Sequence, residues 1–211
     1  MSARSTALNS ISIRTTKNQT CHQRRTLVEI ARTDIAEVIL VTPRIWADER
    51  GFFLESFNAK EYKARGMPER FVQDNYSRSS RGALRGLHYQ LSRPQGKLVS
   101  VVRGRMFDVA ADIRRGSPTY GRWVGVVLDD VLRQGLWIPP GFAHGWCALS
   151  DKVDVVYKCT DYYDPASEHG VIWNDPTLAI DWPIDQPIVS SRDLRFPLLS
   201  HDNANLPVFE S

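Results

Sequence analysis

The sequence predicts an all-β protein, a barrel or sandwich of short antiparallel strands. Three observations lead there. Runs rich in β-branched and aromatic residues recur at near-regular spacing from residue 98 onward. Gly and Pro punctuate them, as at Gly104, Gly116-Ser-Pro118 and Pro139-Pro-Gly141. Only one stretch, Ala59 to Arg65, reads as a helix, ended by Gly66 with Pro68 just beyond.

Taken in order, residues 29–42 begin the ordered part and end in the β-branched run Val38-Ile-Leu-Val-Thr42, which predicts a strand. After the short helix come Leu98–Arg103, Phe107–Ile113, Arg122–Leu128, Gly135–Ile138, Trp146–Leu149 and Val153–Thr160. Many short strands with turn residues between them indicate a barrel or sandwich. Beyond residue 160 the chain is rich in Pro, Asp and Trp and reads as ordered loops wrapped over that body. No internal repeat, low-complexity tract or second domain is visible.

Composition narrows the function. A chain of 211 residues with 42% apolar content suits one domain with a real core. No apolar run is long enough to span a membrane. Cys21, Cys147 and Cys159 lie far apart and read as reduced thiols of a cytoplasmic protein, not as a disulfide or zinc framework. The net charge of +3 is uneven. Residues 1–28 hold Arg4, Arg14, Lys17, Arg24 and Arg25 and no acid, so the remainder is −2. The expectation is a flexible basic tail over 1–28 and a single domain over 29–211. The body shows no basic stripe, which argues against nucleic-acid binding.

Alternation along the strands sorts side chains into faces. Val153, Val155, Tyr157 and Cys159 share one face, which makes Tyr157 an inward phenol and turns Lys158 away. In Phe107–Ile113 the odd positions are apolar, with Asp108 and Asp112 opposite. A barrel mouth is a usual place for a small-molecule site.

Three segments hold residues able to do chemistry. In Leu84-Arg-Gly-Leu-His88-Tyr-Gln90, the histidine is either a hydrogen-bonded core residue or a base titrating near neutral pH. Arg85 suits an anionic substrate, or is simply solvated. In Pro94-Gln-Gly-Lys97-Leu-Val99, the lysine either snorkels to water or points inward, where its ammonium would stabilise an enolate oxygen. Pro139-Pro-Gly-Phe-Ala-His144-Gly-Trp146 is a stiff corner that serves packing or binding equally well. No His-x-His occurs, His144 has no neighbouring His or carboxylate, and His22 and His201 lie near the ends. That predicts no metal site.

Eight segments in register resemble the dTDP-4-dehydrorhamnose 3,5-epimerase family, from about residue 34 to 199. They are Asp48-Glu-Arg50-Gly-Phe-Phe53-Leu-Glu55-Ser-Phe57, Phe71-Val-Gln73-Asp74-Asn75, Leu84–Gln90, Gln95-Gly-Lys-Leu-Val99, Phe107–Arg114, Leu136–Gly145, Val156–Tyr163 and Ser191-Arg192-Asp193. The resemblance implies a cupin-like antiparallel β-barrel (a jelly roll) with a few short peripheral helices, a homodimer, a dTDP-sugar substrate and no cofactor. It implies His88 as base, Tyr157 as acid on the opposite face of the sugar, Lys97 at the enolate oxygen and Asp193 orienting His88. It further implies Arg50, Phe53, Glu55, Gln73, Asp74, Asn75, Arg85, His144, Tyr163, Glu168 and Arg192 at the nucleotide and sugar. The sequence departs from the family pattern in the basic extension, in Tyr76 where histidine is frequent, and in Trp146 where phenylalanine is usual. The larger ring of Trp146 would narrow the sugar pocket.

The expected chemistry is proton movement at C3 and C5 beside a C4 ketone, giving dTDP-4-dehydro-L-rhamnose for deoxysugar biosynthesis. A single-site epimerase, a non-catalytic sugar-binding barrel and a metal-dependent oxygenase are the rival readings. One tension stands out. Strict alternation puts Arg85 and His88 on opposite faces, so both serve one site only if the strand bends near Gly86.

Overall fold

A computed structural model describes residues 27–209. Its elements are β1 (Val28–Arg32), β2 (Ile39–Pro43), β3 (Ile45–Asp48), β4 (Gly51–Leu54), α1 (Ala59–Lys63), β5 (Gln73–Ser80), β6 (Ala83–Gln90), β7 (Lys97–Arg103), β8 (Arg105–Asp112), β9 (Trp123–Asp129), β10 (Gly135–Ile138), β11 (Phe142–Ala148), β12 (Lys152–Cys159), β13 (Glu168–Gly170) and β14 (Ile188–Val189), then a 3-10 turn, Asp193–Arg195. Two sheets face each other, in the orders β1-β2-β10-β7-β12-β5 and β13-β6-β11-β8-β9. All pairs within those orders are antiparallel, while β14 joins β6 in parallel. The all-β class predicted from the strand spacing is the one observed.

The interior is filled from both sheets. Val99, Val101, Leu136, Val153 and Val155 meet Met106, Ala110, Val126, Phe142 and Trp146 across it. A second apolar layer lies outside the second sheet, where Leu84, Leu87, Val109, Ala111 and Ile113 are covered by Leu178, Trp182, Leu199 and Leu206. The Trp123 and Trp182 indoles donate to the Leu178 and Trp173 carbonyls, pinning this cover in place. The wrapped C-terminal loops are therefore a layer of the core. Because β11 is covered on both faces, all seven of its residues are buried and it shows no polar alternation.

That cover also decides the faces of β8. Its apolar odd positions pack outward beneath the C-terminal layer, and Asp108 and Asp112 point into the barrel, both fully buried.

Several boundaries differ from expectation. The strand expected at Val38–Thr42 is β2, and a strand not expected, β1, pairs antiparallel with it around a turn. Val28, placed in the basic tail by its sequence, is buried and starts β1. Residues 1–26 of that tail lie outside the described residues. Helix α1 ends at Lys63 rather than Arg65, and Gly66 closes the turn at a left-handed φ of 72°. Asn58 caps its start, accepting from the Glu61 N–H at 3.2 Å. Among the described residues, no helix is long and apolar enough to cross a membrane.

Candidate active site

A cavity of about 330 Å³ opens between the sheets. Gln73, Asn75 and Ser77 line it from β5, Arg85, His88, Tyr89 and Gln90 from β6, and Gln95 and Lys97 from the start of β7. His144 and Trp146 of β11, Tyr157 of β12, Tyr163, Glu168 and Arg192 complete the wall. The odd positions of β5 all turn one way and its even positions are exposed, which is plain alternation.

Alternation fails in β6, where it has to. Gly86 sits at φ 113°, a region closed to residues with a Cβ. A Cβ there would lie 2.5 Å from Gly145 Cα and 2.6 Å from the His144 carbonyl. Two glycines thus let β6 and β11 approach closely, and their register shifts between His144 and Trp146. The irregularity brings Arg85 and His88, three residues apart, onto the same cavity.

His88 is held from behind. Its Nε2 lies 3.0 Å from Asp193 Oδ1, while the Gly86 N–H donates to Asp193 Oδ2 at 3.1 Å. Burial alone would raise the Asp193 carboxyl, but the hydrogen bond and charge of His88 and the Gly86 N–H outweigh it. The group sits well below the usual carboxylate range. An ionised Asp193 accepts the Nε2 proton, so Nδ1 is the lone-pair nitrogen. The imidazole packs edge-on against Phe196, with ring centroids 5.5 Å apart. The Arg192 guanidinium approaches the same Nε2 at 3.2 Å and is itself held by Asp193 at 3.3 Å and Glu168 at 2.6 Å. Glu168 also accepts from the Tyr163 hydroxyl at 2.8 Å.

Lys97 enters from the facing sheet. Burial pulls its ammonium below the ordinary lysine range, opposed by the charges of Cys159, Glu168 and Asp108. Burial pushes the Tyr157 phenol up, so it keeps its proton at neutral pH. His144 Nε2 lies 2.7 Å from Asp108 Oδ1, and burial pulls the imidazole below the ordinary histidine range despite that neighbour. At the cavity mouth Arg85 donates to Ser79 Oγ at 3.0 Å and lies over the Trp146 indole, 5.9 Å from its centre.

This arrangement offers a backed imidazole, an ammonium and a neutral phenol around one space, with arginines at its edge. Such a set suits proton abstraction beside a carbonyl on an anionic substrate. Among the described residues, no group of three His, Cys, Asp or Glu side chains is arranged to hold a metal ion.

Four expected residues lie elsewhere in the chain. Asp74 is turned outward between Gln73 and Asn75 and pairs with Lys158 at 2.9 Å, as strand alternation requires. Arg50 and Phe53 sit on the β3–β4 hairpin, which pairs with no other strand among the described residues. Arg50 is folded onto Asp48 with its side chain 84% exposed, and Phe53 is 64% exposed. Glu55 accepts from Asn58 beside the start of α1. Conversely, Ser77, Tyr89, Gln90 and Gln95 line the cavity although no site role was read for them. The period-two row Gln73, Asn75, Ser77, Ser79 was the signal for Ser77. It was hidden because the row is polar on its inward face.

The family model described as dTDP-4-dehydrorhamnose 3,5-epimerase matches residues 32–201. A dTDP-4-dehydrorhamnose 3,5-epimerase from Pseudomonas aeruginosa is 51% identical over 168 residues, covering 79% of this chain and 93% of that protein. One from Neisseria gonorrhoeae is also 51% identical over 168 residues, and there the match spans 79% of this chain but only 51% of the longer relative. Among solved structures, the dTDP-6-deoxy-D-glucose-3,5-epimerase of Legionella pneumophila, in complex with dTDP-4-keto-L-rhamnose, superposes with a TM-score of 0.85. It is 52% identical, and the alignment covers 87% of this chain and all of that one.

Proposed function

This chain belongs to the dTDP-4-dehydrorhamnose 3,5-epimerase family, and from that premise we propose that it epimerises C3 and C5 of dTDP-4-dehydro-6-deoxy-D-glucose. The product is dTDP-4-dehydro-L-rhamnose, and the setting is dTDP-rhamnose biosynthesis. One observation carries the reading: His88, Lys97 and Tyr157 line a single cavity, and Asp193 backs the histidine at 3.0 Å.

The C4 ketone acidifies the hydrogens on its two neighbours, because the carbanion left behind is an enolate. His88, with Nε2 committed to Asp193, takes the proton through Nδ1. Asp193 fixes that tautomer and stabilises the imidazolium that forms. Lys97 supplies positive charge where the enolate oxygen develops. Tyr157, whose raised pKa keeps it protonated, returns a proton from the opposite side and inverts the centre. A proton leaves and a proton returns, so the balance closes without an electron carrier or metal. Arg85 and Arg192 at the rim suit the diphosphate, and Gln73, Asn75, His144, Tyr163 and Glu168 serve the sugar and base.

The same reading accounts for the stray hairpin. The family resemblance implies Arg50 and Phe53 at the site, and they stand on an exposed arm with Phe52 and Ile45 beside them. In a homodimer that arm reaches the cavity of the second copy, which explains its exposed aromatic surface. A charged nucleotide sugar does not cross membranes unaided, so the enzyme belongs in the cytoplasm.

The test is incubation with dTDP-4-dehydro-6-deoxy-D-glucose in D2O, followed by proton NMR. Deuterium at both C3 and C5 with inversion is the expected result. Uptake at one carbon only makes it a single-site epimerase, and no uptake overturns the catalytic reading in favour of a sugar-binding barrel.

A further inference from the structure

The β3–β4 hairpin has no backbone partner on the barrel among the described residues, and a two-stranded ribbon by itself is marginal in water. Its register sorts its side chains. Ala47 pairs with Phe52 and Ile45 with Leu54, while Trp46 pairs with Phe53 and Asp48 with Gly51. Residues directly opposite in an antiparallel pair share a face, and successive residues alternate. Phe52 and Phe53 therefore point from opposite sides of the ribbon. On the Phe53 side that ring lies 5.8 Å from Trp46, Arg44 covers the Trp46 indole at 5.2 Å, and Arg50 folds onto Asp48.

The Phe52 side is held by the barrel. The Arg133 guanidinium, from the loop between β9 and β10, lies over the Phe52 ring, 3.7 Å from its centre. That loop is fixed at both ends. Asp129 Oδ1 accepts from the Val131 and Leu132 N–H groups, and the Asp129 carbonyl accepts from the Arg133 N–H at 3.1 Å. Gln134 donates to Thr42 Oγ1 at 2.9 Å, near the end of β2, where the chain leaves for the hairpin.

The backbone at Arg133 is a second, independent sign. Its φ is 53°, and among the described residues only Ala179 shares such a value without being glycine. Glycine adopts this left-handed conformation at less cost. A long cationic side chain kept at a position suited to glycine implies that the side chain has a use.

Resting on the reading that the hairpin serves the cavity of a second copy, we propose that Arg133 is a positioning residue for nucleotide binding. It clamps Phe52 from the barrel side, so that the opposite side of the ribbon presents Arg50 and Phe53 to the nucleotide in that cavity. An arm free to swing is competent only part of the time, and apparent affinity falls by that fraction. Holding the arm before binding removes the loss. Arg133 lies outside the cavity that holds His88, Lys97 and Tyr157, so the clamp acts on binding and leaves the proton transfers alone.

The measurements are dTDP affinity by calorimetry, steady-state kinetics and thermal unfolding. Arg133→Gln removes the cation and is expected to weaken dTDP binding and raise KM about 3- to 5-fold, with kcat within about two-fold of wild type. Arg133→Lys keeps the cation and is expected to stay within about two-fold in dTDP affinity. Phe52→Leu should match Arg133→Gln, and the double variant should bind no more weakly than either single one. Arg133→Gly relaxes the left-handed backbone, so it should unfold at or above the wild-type temperature and still bind dTDP as weakly as Arg133→Gln. A merely structural residue would move stability and affinity together. Wild-type dTDP affinity in Arg133→Gln, additive losses in the double variant, or a kcat loss at unchanged KM overturns the clamp. Arg50→Ala tests the reading beneath it. Unchanged dTDP affinity there overturns the arm's place at the second cavity, whereas weakened affinity there beside wild-type affinity in Arg133→Gln overturns the clamp alone.

Discussion

Asp108 and Asp112 stand four residues apart on the same inward face of β8, both fully buried, and the barrel treats them in opposite ways. Asp112 is saturated. It accepts from the Arg114 backbone and guanidinium, from Ser117 and from Thr119, and Arg114 goes on to grip Glu37 at 2.7 and 2.9 Å. The Arg114 guanidinium lies over the Phe142 and Phe209 rings, at 4.3 and 4.9 Å. Among the described residues Asp108 has one hydrogen-bond partner, His144. A carboxylate that holds a fold together has its lone pairs filled by neighbours that never move. Asp108 instead meets a single side chain, His144, on the wall of the cavity. The same contrast separates the two ends of the interior, a closed ion cluster at one and an underfilled polar cavity at the other.

Substitutions at the two ends sharpen that contrast. His88→Asn removes the base and is expected to lower turnover by about 10³- to 10⁴-fold, with the melting temperature shifted by only a few degrees. Asp112→Asn should behave inversely. It strips a buried cluster of its central charge, costing about 3–5 kcal/mol in urea unfolding, while kcat of the folded fraction stays within a few-fold of wild type. A large kcat loss without a stability loss at Asp112 would break the comparison.

Asp193 sits between these extremes, because it both backs His88 and accepts the Gly86 N–H. Asp193→Asn is expected to lower kcat about 100-fold and to cost about 1–2 kcal/mol of stability, so steady-state kinetics and unfolding should both register it. The pH dependence of folding follows from the same groups. The Asp112 and Asp193 carboxyls are held below their ordinary range, chiefly by Arg114 and by His88 against the opposing effect of burial. A depressed folded-state pKa contributes stability above about pH 4, the unfolded value, and that contribution drains away as pH falls further. Acid titration of Asp112→Asn should therefore show a flatter loss below pH 4 than the wild type. Smallest of all is the exposed Arg81–Asp151 pair at 2.9 Å. Asp151→Ala should change stability by less than about 1 kcal/mol and turnover not at all.

Much of this was legible along the chain. Short β-branched runs punctuated by Gly and Pro announced the all-β class, and eight segments in register pointed to the family. Tyr157 was readable as an inward phenol because β12 alternates without interruption. Strand β5 was not readable, since Gln73-Asp-Asn-Tyr-Ser-Arg-Ser-Ser80 carries no apolar stripe. Its inward face is a cavity wall, and a polar wall has no hydrophobic period to detect. The faces of β8 were ambiguous for a related reason. With an apolar cover on the outside of the sheet, its greasier face turns away from the barrel.

By itself, then, the sequence determined the strand count's order of magnitude, the family and a set of candidate side chains, because residue type and local alternation are properties of a few neighbouring positions. Only the tertiary structure decided which of those side chains meet. Arg85 joins His88 because Gly86 and Gly145, 59 positions apart in the chain, press two strands together and break the alternation. Asp74 is turned out, Arg50 and Phe53 are carried off on the hairpin, and Asp108 is brought to His144. Each outcome depends on contacts between distant segments, and closure of the barrel, not local preference, selects them.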